Sequence, residues 1–189
     1  MMRNLIAVLS LALLSTCATA QGWANFKPGS YSKLKTTSNT DAAGMTIQTV
    51  TVMKQTLKEI SPTEATVTME TESSTVLNGK ETKMPVSTTE MKVPLVAASP
   101  APEVVKAVAS AQASVNTNVS TSTETLTVAG KALKCTVSNA SVEAGGMKTV
   151  TKQWVSDDVP GAMVKSESST SGASKSSMTM ELLEFDAKR

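Results

Sequence analysis

The sequence has no histidine. That removes the side chain most often used as a general base or metal ligand near neutral pH. It has two cysteines, Cys17 and Cys135. Cys17 falls in a leader-like segment, so Cys135 has no intramolecular partner, and neither a disulfide staple nor a cysteine-based zinc site is available. Aromatic residues are 3% of the chain and charged residues 18%, with a formal net charge of +2. Such a balance gives no basic, aromatic-lined groove for nucleic acid. No glycine-rich phosphate loop and no Gly-x-Ser-x-Gly nucleophile elbow is present. Chemistry without histidine would need paired carboxylates or a Ser-Lys pair. The acidic residues Asp157 and Asp158 fall in a turn, and Glu181, Glu184 and Asp186 lie near the C-terminus. The chain therefore reads as non-enzymatic, with no catalytic residue, metal or cofactor expected.

The chain begins with one basic residue, Arg3, an apolar run from Leu5 to Leu14, and the small-residue triplet Ala18-Thr19-Ala20. This order predicts a signal peptide over residues 1–20 and a single exported domain over residues 21–189, periplasmic or secreted. A competing reading takes "LSTC", Leu14 to Cys17, as a lipobox that anchors the chain through a lipidated Cys17; Thr16 departs from the residue usual before that cysteine. The apolar run is too short for a comfortable bilayer span, and no later run is long enough, so no transmembrane segment is expected in the mature chain.

Ser and Thr make up roughly a quarter of the sequence, and threonine, with valine, favours strands because β-branched side chains suit a pleated surface. Trp23 and Phe26, ahead of the first strand, are expected to plug one end of a core. The run from Met45 to Ile60 reads as a strand whose phase slips near Thr49 and Val50, which predicts a bulge there or a strand buried in part on both faces. Residues 65–72 alternate cleanly, with Ala65, Val67, Met69 and Thr71 on one face. Asn78-Gly79 is a strong hairpin signal, and Pro85 demotes the return strand to a bulged or edge position. Prolines at 100 and 102, then Val104, Val105, Val108 and Ala111 at helical spacing, predict a helix over about residues 102–114. Further strands are expected over 119–128, 132–142, 147–156, 162–170 and 176–185, separated by Gly-containing turns, with Pro160-Gly161 suited to a type II turn. The fold class is mainly β (α+β): an antiparallel, incompletely closed barrel or strongly curved sheet of about nine strands with one helix packed on its concave face.

Cys135 lies between Leu133 and Val137 on one strand face and reads as a small buried hydrophobe. Trp154 reads as an amphipathic anchor near the sheet rim with lysine stems alongside, or as a cavity wall. Nine methionines fall on predicted strands or their edges, which suits an adaptable core or an adaptable lining for acyl chains. The ligand-lining candidates are Met69, Val104, Val108, Trp154, Met178 and Met180. Asn118 and Asn139 begin triplets that match glycosylation acceptors.

The stretches "WANFKPGSYSKLK", "GKALKCTV" and "QWVSDDVPGAMVKSES" resemble a group of uncharacterised secreted bacterial proteins, which is itself similar to the periplasmic lipoprotein-carrier superfamily of the LolA and LppX type. The resemblance implies an incompletely closed antiparallel barrel that binds lipid or acyl groups and ferries them across the periplasm. The sequence departs from that pattern in its few aromatics and its single expected helix. No basic residue is assignable to the mouth of a cavity. The leading expectation is non-catalytic binding of an apolar or lipid-like ligand in the cell envelope. The alternative is a structural or protein-interaction β module without a ligand cavity.

Overall fold

The computed structural model describes residues 22–42, 45–77, 79–95, 116–144, 146–172 and 175–189. They form one antiparallel sheet of ten strands: β1 (Tyr31–Ala42), β2 (Met45–Ile60), β3 (Glu64–Leu77), β4 (Lys80–Lys83), β5 (Ser87–Pro94), β6 (Asn116–Val128), β7 (Lys131–Ala144), β8 (Met147–Val155), β9 (Met163–Ser171) and β10 (Lys175–Asp186). The order across the sheet is β4-β3-β2-β1-β10-β9-β8-β7-β6, with β5 also on β3. The first and last strands are thus neighbours at the middle, and each half of the chain runs outward from them as a meander. The sheet is not closed; its two edges are β6 and the β4/β5 pair.

The described strands number ten where about nine were expected, because the return strand is split. β4 pairs with the far end of β3 and β5 with its near end. Between them lie Met84, Pro85 and Val86, where proline has no N–H for the ladder. The expected helix over residues 102–114 lies outside the described residues, and no described residue is helical. Of the two readings of the slip at Thr49 and Val50, the bulge is absent, since β2 runs in unbroken register with β1 there, and the strand is instead half-buried on both faces from Thr49 to Thr56. The register instead shifts between Leu57 and Glu59 against β3, between Lys33 and Leu34 against β10, and between Trp154 and Val155 against β9.

Burial is concentrated at one end of the strands, the base, where β1, β3, β7 and β9 start and β2, β8 and β10 finish. Two clusters fill it. Trp23 and Phe26 of the segment leading into β1 pack with Leu57, Ala65, Val67 and Val93. Leu34, Leu133, Cys135, Val137, Trp154, Val159, Met163, Val164 and Leu182 form the second cluster. The loop between β8 and β9 joins the two. Pro160-Gly161 makes the expected turn, with the Ala162 amide donating to the Val159 carbonyl at 2.7 Å and Gly161 at φ +80°. A Cβ at Gly161 would stand 3.2 Å from the Trp23 ring, so the glycine permits both the turn and the close approach of the indole. The base of the β6–β7 hairpin curls onto β10. Leu126 and Val128 join the cluster that holds Leu182, and the Lys131 ammonium lies 4.6 Å from the centre of the Phe185 ring.

Candidate functional site

Residues that pair across neighbouring strands point to the same side of a sheet, and those adjacent along a strand to opposite sides. Following the registers outward from Leu34 traces one face across all ten strands. Leu34 pairs with Met53 and Leu182, Met53 with Thr71, Met180 with Ser166, Ser166 with Gln153, Gln153 with Ser138, and Ser138 with Thr121. Among the described strand residues the only charged members of this face are Lys80, near the tip of β4, and Lys134, on β7. The other charged strand residues face the opposite way, Lys58 in its bulge aside. A side chain selection this one-sided does not follow from strand propensity, which is indifferent to face.

On the uncharged face, away from the base, small hydroxyls surround a methionine pair. Thr51, Thr36, Met180 and Ser166 stand in one row, and Thr49, Ser38, Met178 and Ser168 in the next. The hydroxyls bond to one another across strands. Thr49 pairs with Thr75 at 3.4 Å and Thr51 with Ser73 at 3.0 Å on β2/β3. Thr149 pairs with Thr170 at 3.0 Å and Thr151 with Ser168 at 3.2 Å on β8/β9. Two hydroxyl pairs thus lie on either side of the central β1/β10 ladder. Met178 stands 37% exposed between them, and Met180 is half-buried against the second core cluster.

The expected lining residues do not gather in one place. Met178 and Met180 are together on β10 as described. Met69 shares their face but packs against the Trp23 and Phe26 cluster, three strands away on β3. Trp154 lies on the charged face, paired with Val137 and Lys165, and is 5% exposed. It packs in the second core cluster. Val104, Val108 and Cys17 lie outside the described residues.

Around Trp154 the structure builds a polar clasp in which the lysine stems were expected and the Glu124 carboxylate was not. The indole Nε1 donates to Glu124 Oε2 at 2.7 Å. Lys152 Nζ donates to Glu124 Oε1 at 3.0 Å and lies 4.4 Å from the ring centre. Lys165 lies 5.2 Å from the same ring and pairs with Glu167 at 2.8 Å. The indole N–H and then the Lys152 ammonium hold the Glu124 carboxyl below its ordinary range, because both bond to its charged form. The bond to Glu167 raises Lys165. The clasp ties β6 to β8 across β7 and closes over the indole, so it serves the fold. The one signal available in advance was position: Glu124 is the single charged residue of β6 and shares a strand face with Leu126.

Cys135 is fully buried, and desolvation pushes its thiol pKa upward, the condition of an inert core thiol. Among the described residues no group of three or more Cys, Asp or Glu is placed to hold a metal ion, and no helix is long and apolar enough to cross a membrane. Comparison with protein-family models, with curated proteins and with solved structures finds no match.

Proposed function

We propose that this chain is an exported, non-catalytic binding protein whose uncharged sheet face receives an apolar or lipid-like ligand in the cell envelope. The observation that carries the reading is the segregation of charge: among the described strand residues one face of the ten-stranded sheet has Lys80 and Lys134 as its only charges, and Met178 stands exposed near its middle. Covering a charge with an apolar group costs far more than covering a hydroxyl that already has a partner. The four paired hydroxyl sets satisfy one another, so an acyl chain laid over them strands few polar groups. Methionine beside them adapts its shape to varied apolar partners. The leader-like start and the resemblance to lipoprotein carriers support the cell envelope as the place of action.

The test is native mass spectrometry of the full chain purified from its own envelope, followed by displacement of a fluorescent fatty acid. Met178→Lys places a charge in the middle of the face at an exposed position that the core does not use. It is expected to weaken binding of the fluorescent probe by at least about tenfold, since one desolvated charge exceeds the 1.4 kcal/mol that a decade requires. A ligand-free mass together with no probe binding, or undiminished binding by Met178→Lys, would sink the proposal.

A further inference from the structure

The two edges of the sheet are built differently. At the β4/β5 edge, β4 reads Lys-Glu-Thr-Lys, β5 carries Glu90, Lys92 and Pro94, and Met84-Pro85-Val86 interrupts the line between them. Charges, prolines and breaks are the usual means of keeping an edge from pairing with another chain. β6, at the other edge, has no proline, no break and no charge facing outward. It is thirteen residues long, "NTNVSTSTETLTV", with no proline and one charge, and it pairs with β7 over its whole length without a break. Its one charge is turned away from the edge: Glu124 reaches over β7 to Lys152 and Trp154 on β8. Among the described residues nothing pairs with the outer side of β6. Val119 on it is 66% exposed.

We propose that β6 pairs edge to edge with β6 of a second copy of this chain, antiparallel about a twofold axis. Charge decides for this occupant. With full overlap Ser122 meets Ser122 of the second copy, Glu124 meets Ser120, Val119 meets Thr125 and Thr121 meets Thr123, so no like charges oppose one another. Pairing β6 with the β4/β5 edge would meet Pro85, Pro94 and a row of charges, and would propagate head to tail without closing. The guarded edge therefore stops growth, and the unguarded one forms a closed pair. Joined through β6, two copies would make one continuous sheet.

Analytical ultracentrifugation of the full chain over a wide concentration range reads the assembly. A dimer is expected. Ser122→Lys, at an exposed position, opposes two ammonium groups at the twofold axis and should raise the dimer dissociation constant at least about tenfold while leaving the thermal midpoint of the monomer in place. Ser122→Cys supplies an independent readout. Directly opposed residues lie about 4.5–5.5 Å apart between Cα atoms, within reach of a disulfide, so mild oxidation should give a covalent dimer. A cysteine at exposed Ser169 of β9 should stay monomeric. Two results overturn the proposal: a chain that is monomeric at every concentration, or a dimer indifferent to Ser122→Lys that Ser122→Cys fails to cross-link.

Discussion

The two ends of the same strands are made of different material. All five aromatic residues lie at the base: Trp23 and Phe26 in the lead-in segment, Tyr31 at the start of β1, Trp154 at the end of β8 and Phe185 at the end of β10. Four of the five rings have a cation over them, from Lys54 on Tyr31 to Arg189 on Phe26. The fifth, Trp23, is instead sealed against Gly161. The far end has no aromatic residue, and on its uncharged face Ser and Thr hydroxyl pairs join β2 to β3 and β8 to β9. β2 shows the change within one strand: Leu57 at the base is fully buried, while Met45 at the tip is 47% exposed. Side-chain burial at the base anchors the sheet, and backbone ladders with hydroxyl pairs continue it beyond the core. An unclosed sheet of long strands can thus leave a broad face free, because its stability is gathered at one end.

Breaking the base should give the largest effect. Leu57→Ala removes a fully buried side chain from between Trp23, Ala65 and Val67. Its amide donates to Ser30 and its carbonyl accepts from Gly29, so the lead-in segment is fixed at this same point and has little freedom to collapse into the space. A loss of about 2–5 kcal/mol in unfolding free energy is expected, read by denaturant titration followed by tryptophan fluorescence. A loss below about 1 kcal/mol would mean that the Trp23 cluster does not anchor the sheet.

Next in size is the clasp on Trp154, which sharpens the comparison by asking whether the base is held by packing alone. The Glu124 carboxyl is lowered in the folded chain by the indole N–H and Lys152, and in the unfolded chain it returns to its ordinary value. Its contribution is therefore complete above the ordinary carboxylate range and is lost as pH falls through the lowered folded value. Glu124→Gln keeps an acceptor for the indole but drops the ion pair. The variant should be less stable than the parent at neutral pH, and the gap should close as the solution is acidified below the carboxylate range. Thermal midpoints measured from neutral to acid pH check this. Parallel pH profiles for the two chains would show that the carboxylate charge adds nothing to the clasp.

Local chemistry in the sequence shows why some of this was legible and some was not. The alternation of Ala65, Val67, Met69 and Thr71 named the inward face of β3 correctly, because a strand buried on one side must alternate. Pro85 marked the break between β4 and β5, and Pro160-Gly161 marked its turn, since both residues act through their own φ angles. The slip at Thr49 and Val50 was a change of chemistry and not of geometry. On that part of β2 the valines, Val50 and Val52, lie half-buried on the charged face while threonines occupy the other, so hydrophobicity changed sides with no extra residue. The real bulge, at Lys58, left no mark in the apolar pattern. The meeting of β1 with β10, and hence the uncharged face itself, depends on pairing between chain ends, which no local period reports. Of the expected lining residues, Met178 and Met180 were placed together because they share one strand. Met69 and Trp154 came apart because their neighbours are decided by register.

The smallest expected effect is the most direct test of the contrast between the two ends. Thr51 is on β2, on the same face as Leu57, and its hydroxyl bonds to Ser73 at 3.0 Å. Thr51→Ala removes one half-buried hydroxyl pair and one methyl from a ladder that keeps its backbone bonds. Cross-strand pairs of this kind are worth about 0.2–1 kcal/mol, and Ser73 can turn to water. The loss should stay at the low end of that range, several times smaller than for Leu57→Ala on the same strand. The two substitutions share strand, face and neighbours β1 and β3, so topology cancels, and what differs is the side chain removed and its position along the strand. If Thr51→Ala instead costs as much as Leu57→Ala, the hydroxyl rows are themselves a second core. The uncharged face would then be structural, and the ligand proposed for it would lose its place.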